Sequence, residues 1–138
     1  MKQRVPVSQI MTKVLIAVPP TKKISEVNQL FTDYKIRHIP VVEGEQLVGI
    51  ISSNDILKIG YSTAEMDAEA INAIYDAYQL EDIMTANPIV VDDETTIKEV
   101  AELLVNQQFH SLPVVDKNKT LVGIVTTTDL INYLIAQY

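Results

Sequence analysis

Leu47-Val48-Gly49-Ile50-Ile51-Ser52-Ser53-Asn54-Asp55 returns 74 residues later as Leu121-Val122-Gly123-Ile124-Val125-Thr126-Thr127-Thr128-Asp129. Each stretch passes from an apolar, β-rich run into hydroxyl and amide side chains closed by an aspartate. The first part suits a strand and the second a helix start. Upstream the match continues at an offset of 73. Ile10-Met11-Thr12 answers Ile83-Met84-Thr85, Ile16 answers Ile89, and Ile24, Glu26, Val27 and Leu30 answer Ile97, Glu99, Val100 and Leu103. Pro40-Val41-Val42 answers Pro113-Val114-Val115. The extra residue of the second copy falls in Asp116-Lys117-Asn118-Lys119-Thr120, a hairpin tip, where an insertion is best absorbed. The 138 residues hold one unit written twice.

Each copy reads β-α-β-β-α, an α/β (α+β) fold. Ile16 to Val18 and Ile89 to Val91 predict brief strands. Ile24, Val27, Leu30, Phe31 and Tyr34 fall at helical spacing, as do Ile97, Val100, Leu103 and Leu104. Thr96 and Glu99 predict a capping box for the second of these helices; Lys23 holds the equivalent place in the first, a weaker cap. Hairpins follow at Ile39 to Ser52 and Leu112 to Thr126, then helices carrying Ile56 and Leu57, or Leu130, Ile131 and Leu134. A lone copy of about 55 residues has a marginal core. The two copies are therefore expected to pack through their sheets with pseudo-two-fold symmetry. The boundaries expected are 8–60 for the first repeat, 61–79 for a helical linker and 80–137 for the second repeat. Ile71, Ile74 and Tyr78 give that linker its helical period. Tyr61, Tyr75 and Tyr78 leave two readings of it, a packed spacer or a partner-docking or ligand-capping segment.

Composition narrows the function. There is no cysteine, which excludes disulfides and thiolate chemistry and fits a reducing compartment. The start, MKQRVPVSQIM, lacks a signal sequence's apolar stretch, and no run is long enough to span a membrane, so a soluble, cytoplasmic protein is expected. A net charge of −7 opposes nucleic-acid binding. Asp92-Asp93-Glu94 reads as a solvated turn before a helix rather than a metal site. No nucleophile–base–orienter set and no glycine-rich phosphate loop is present, so an enzyme is not expected.

The order, spacing and duplication of Ile-Met-Thr, helix, Pro-Val-Val, turn, Leu-Val-Gly-Ile and Ser/Thr-x-x-Asp resemble the cystathionine-β-synthase-type (CBS) domain, as a stand-alone tandem pair from about Ser8 to Ala136. The resemblance implies two clefts that bind AMP, ADP, ATP or S-adenosylmethionine, sometimes with magnesium, and a tendency to form homodimers. It implies no required cofactor and a regulated partner protein whose identity the sequence does not carry. Ligand-free interaction or dimerisation, with vestigial clefts, is the competing function.

The strand-to-helix step at Thr126 to Asp129 offers free N–H groups and a positive helix end to an anion. Thr126 and Thr128 add hydroxyls, and Asp129 can accept from neighbouring sugar hydroxyls. The resemblance implies that Asp129 holds a ribose while the hydroxyls approach phosphate. Ser52 and Asp55 keep the pattern in the first copy, with Asn54 in place of Thr128. Helix-start preference alone is the other explanation for these residues. Arg37, His38 and His110 precede the Pro-Val-Val strands, where the resemblance implies basic groups that reach phosphate; a surface or strand-edge role competes. An adenine ring needs apolar walls. Val14 to Ile16 and Pro88 to Val90 supply candidates, Ile16, Ile89 and Val90 among them, together with Ile39 and Leu112, for which plain core packing is favoured.

Overall fold

The structure is a computed structural model that describes residues 4–13, 16–59 and 66–138. Val14 and Tyr61, both singled out above, lie outside the described residues. In chain order a 3-10 turn (Val7–Gln9) precedes β1 (Thr12–Lys13), α1 (Ile24–Tyr34), β2 (His38–Glu43), β3 (Gln46–Ser52) and α2 (Ser53–Leu57). Then come α3 (Ala68–Asp76), α4 (Leu80–Ile83), β4 (Thr85–Ala86), β5 (Val91–Asp92), α5 (Ile97–Gln107), β6 (Ser111–Val115), β7 (Leu121–Thr126) and α6 (Thr127–Ala136). The chain forms two compact units, one of residues 16–87 and one joining the chain start, through residue 15, to Pro88–Tyr138.

Both hairpins form where the repeat places them, antiparallel, each with an irregularity at the same repeat position, Val41/Val42 and Val114/Val115. The strands expected ahead of the helices are shorter. β5 pairs in parallel with β6 only through Val91 and Asp92, and in the first copy the counterpart is a single parallel bridge between Val18 and Val41. Pro19 and Pro20 follow Val18 and have no N–H with which to extend that ladder.

The Ile-Met-Thr segments do not join the hairpins of the repeats they head. β1 pairs with β7, Thr12 opposite Ile124 and Lys13 opposite Gly123, and β4 pairs with β3, Thr85 opposite Ile50. The resulting sheets run β1-β7-β6-β5 and β2-β3-β4. The glycine of Leu-Val-Gly-Ile makes this docking possible. A Cβ at Gly123 would stand 2.6 Å from Met11 Sδ and 2.9 Å from the Thr12 carbonyl oxygen. At Gly49 it would stand 2.5 Å from Met84 Sδ and 3.0 Å from the Thr85 carbonyl oxygen. Each glycine is the notch that receives a methionine.

Each unit closes its own core with borrowed residues. Val18, Ile24, Val27, Phe31, Ile39, Val41, Ile51 and Ile56 are completed by Tyr75 and Leu80 from beyond the first repeat's last helix. Val91, Val100, Leu104, Leu112, Val114 and Val125 are completed by Val7 from the chain start. The linker helix is therefore packed on the first unit, with Ile71 and Tyr75 inward. It ends at Asp76, so Tyr78 lies beyond it and is exposed. Of the apolar residues that the sequence places on the last helix, Leu130 packs on the core, while Ile131 and Leu134 are exposed. Among the described residues, no helix is long and apolar enough to cross a membrane.

The caps depart from expectation in an instructive way. The predicted box on α5 is half formed: Thr96 Oγ1 accepts from Glu99 N–H at 3.2 Å, without the reciprocal bond. Lys23 gives α1 no side-chain cap. Asp76, at the end of α3, supplies one across the unit, accepting from Ser25 N–H at 3.0 Å and from Ser25 Oγ at 2.9 Å. Asp92 Oδ1 accepts from Glu94 N–H at 2.9 Å, closing the turn before α5.

Candidate functional site

The Ser/Thr-x-x-Asp strings sit where β3 passes into α2 and β7 into α6, and both fold into reciprocal capping boxes. Three-residue spacing brings an extended first residue and the third helical residue face to face, so each can serve the other's backbone. Ser52 Oγ accepts from Asp55 N–H at 3.2 Å, and Asp55 Oδ2 accepts from Ser52 N–H at 2.8 Å. Thr126 Oγ1 accepts from Asp129 N–H at 3.2 Å, and Asp129 Oδ2 accepts from Thr126 N–H at 2.9 Å. Both hydroxyls keep their own hydrogen for a ligand acceptor. Both aspartates are half-buried, with Oδ2 held by the cap and Oδ1 taking no part in it.

The helix ends are less open than the sequence suggests. Ser53 N–H donates to the Arg37 carbonyl and Thr127 N–H to the His110 carbonyl, each at 3.0 Å. With the Asp55 and Asp129 amides already donating to hydroxyls, the Asn54 and Thr128 amides are the first-turn donors left for a ligand oxygen. The helices also differ in length, ten residues in α6 against five in α2. A longer helix aligns more peptide dipoles, which favours the second copy as an anion site.

The same carbonyl bonds bring the basic residues to the junction. Arg37 and His110 are exposed and tied through their backbones to the first residue of α2 and of α6. His38, half-buried, stands opposite Ser52 across the hairpin, as Ser111 stands opposite Thr126. Arg37, His38, Ser52, Asn54 and Asp55 thus gather at one junction, and His110, Thr126, Thr128 and Asp129 at the other. The apolar candidates separate. Ile39 and Leu112 are enclosed in the two cores, leaving no side-chain surface for a ring. Ile16 is half-buried against the first unit's core. Ile89 and Val90 are 42% and 39% exposed, in the irregular run before β5, and offer apolar surface.

Two neighbours of the aspartates were not among the expected site residues. Thr12 Oγ1 donates to Asp129 Oδ1 at 3.3 Å, and Lys58 Nζ lies 3.9 Å from Asp55 Oδ1. Thr12 belongs to Ile-Met-Thr, which marks the repeat but gives no hint of which hairpin it joins.

The CBS domain family model matches residues 7–61 and again 80–136. MJ1225 from Methanocaldococcus jannaschii is 28% identical over 92% of this chain, and its crystal structure superposes with a TM-score of 0.80. The crystal structure of CBSX2 in complex with AMP is 26% identical, with a TM-score of 0.81 over 96% of this chain and 97% of that one. The CBS domain pair of MJ0100, in complex with 5′-methylthioadenosine and S-adenosylmethionine, is 30% identical, with a TM-score of 0.77 over 94% of this chain and 99% of that one. The chain spans 46% of the full length of MJ1225 and 57% of CBSX2 of Arabidopsis thaliana.

Proposed function

Because the chain belongs to the CBS-domain family, holding two copies of the domain, we propose that it is a regulatory module sensing an adenosine-containing ligand, either AMP, ADP, ATP or S-adenosylmethionine. The observation that carries this reading is the pair of half-buried aspartates, each with one oxygen held by a capping box and the other outside it. Asp129 anchors the ribose, and Asp55 does so in a weaker or differently tuned site. The hydroxyls of Ser52 and Thr126, the amides of Asn54 and Thr128, and Arg37, His38 and His110 serve the phosphate or its equivalent. Ile16, Ile89 and Val90 border the ring. The adenosyl ligands named in the structures of CBSX2 and MJ0100 support the ligand class. The repeats keep the limits 8–60 and 80–137, and the module is cytoplasmic, non-catalytic and needs no metal. Binding biases one of two states of the pair, and a partner protein reads the difference.

Calorimetric titration with AMP, ATP and S-adenosylmethionine tests this. Hydrogen bonds to a charged acceptor contribute about 1.5–3 kcal/mol each, so Asp129→Ala should weaken the best ligand by roughly one to two orders of magnitude. Asp55→Ala should remove or weaken a second event without abolishing the first. A double variant that binds as tightly as wild type refutes the ribose anchor.

The second reading, an interaction or dimerisation module, draws on α6. Ile131, Leu134 and Ile135 are exposed on it, and no side chain from Leu130 to Tyr138 is charged. In a chain of net charge −7, an uncharged apolar face is one on which two copies can meet without placing like charges together. Homodimerisation through α6 is compatible with ligand sensing and forms part of the proposal.

A further inference from the structure

Asp129 and Asp55 occupy the same repeat position, yet their outward oxygens meet different groups. Thr12 stands opposite Ile124 in the register in which Thr85 stands opposite Ile50. Thr12 Oγ1 donates to Asp129 Oδ1 at 3.3 Å, across 117 residues of sequence. Among the described residues, Thr85 has no corresponding bond to Asp55, whose Oδ1 instead lies 3.9 Å from Lys58 Nζ on a side chain 77% exposed. The second copy has Asn132 at the position of Lys58.

Resting on the ribose-anchor reading, we infer that Thr12 is the positioning residue that lets Asp129 select a sugar with two adjacent hydroxyls. A carboxylate offers about four lone-pair directions, two on each oxygen. In Asp129 one direction on Oδ2 is used by Thr126 N–H and one on Oδ1 by Thr12 Oγ1. One direction remains on each oxygen, the pattern that a vicinal diol addresses with one hydroxyl per oxygen. The terminal torsion of an aspartate is broad and roughly two-fold, so a carboxylate held at a single oxygen rocks. Held at both, it presents the two remaining directions at a fixed angle. A sugar lacking one hydroxyl then leaves a defined acceptor unanswered instead of letting the carboxylate turn to its single partner. Thr12 itself is exposed on a two-residue edge strand, so its hydroxyl is not needed to fill a core.

The test uses the full chain carrying Asp55→Ala, so that the second copy's site alone is read, titrated with AMP, 2′-deoxy-AMP and 3′-deoxy-AMP. The expected result is that Thr12→Val weakens AMP about two- to fivefold, as loss of one exposed hydrogen bond implies, and shrinks the ribose-to-deoxyribose affinity ratio by a similar factor. Thr12→Ser, which keeps the hydroxyl, should restore both. If Thr12→Val weakens all three nucleotides equally, or none, while Asp129→Ala still loses AMP, then Thr12 plays no part in sugar choice and the inference falls alone. If Asp129→Ala binds AMP as its parent does, or the parent binds no AMP, the ribose-anchor reading falls and takes the inference with it.

Discussion

Asp76→Ala should uncap a helix that lies 51 residues away in sequence. Asp76 accepts two hydrogen bonds, from Ser25 N–H at 3.0 Å and from Ser25 Oγ at 2.9 Å, and α1 has no side-chain cap of its own at Lys23. Loss of an N-cap costs about 0.5–2 kcal/mol, and a carboxylate at a helix start adds a favourable interaction with the dipole of about 0.3–1 kcal/mol. Asp76 is solvent-exposed and Ser25 half-buried, which keeps the expected loss to roughly 1–2 kcal/mol in urea denaturation. Thr96→Ala, which removes the local cap on α5, should cost about 1 kcal/mol and serves as the internal control. The coupling is the sharper test. Ser25→Ala should cost about 0.5–1 kcal/mol in the wild type and close to nothing once Asp76 is alanine, because its partner has gone. In amide exchange, the first turn of α1 and the last turn of α3 should lose protection together. An Asp76→Ala protein as stable as wild type, or a Ser25→Ala cost identical in both backgrounds, refutes the reasoning.

Gly123→Ala and Gly49→Ala should each destabilise by roughly 1–3 kcal/mol, since the new methyl meets a methionine and a backbone carbonyl that has no free rotamer. Thermal denaturation checks this, and an unchanged midpoint would sink the notch interpretation. Lys35, the left-handed residue closing α1 at φ 54°, should become about 0.5–1 kcal/mol more favourable as glycine, read by the same denaturation. Light scattering at micromolar concentration should show a dimer that Ile135→Glu converts to a monomer; a wild-type monomer with and without AMP counts against the α6 interface.

Much of the fold and part of the site were legible because the informative contacts are short in sequence. Apolar residues three and four apart place Ile24, Val27 and Phe31 on one buried helix face, and Val100 and Leu104 on another. The Ser52–Asp55 and Thr126–Asp129 pairs meet because a strand-to-helix turn brings positions three apart together, whatever surrounds them. Ile39 and Leu112, for which the sequence favours core packing over a place in a ligand wall, are enclosed in the two cores. Period alone marks Ile131 and Leu134 as apolar, but not whether anything stands opposite them within the unit.

The duplication, the order of helices and hairpins and the local half of the aspartate geometry follow from the amino-acid order, because all of them depend on chain period and neighbours within a few residues. Long-range folding sets which hairpin each Ile-Met-Thr strand joins, that Asp76 caps α1, and that Thr12 rather than a lysine meets Oδ1 of the second aspartate. Two equivalent copies offer two equivalent edges to a short strand, and no local preference distinguishes them. The choice falls to long-range packing, a methionine fitting the notch of a glycine far along the chain.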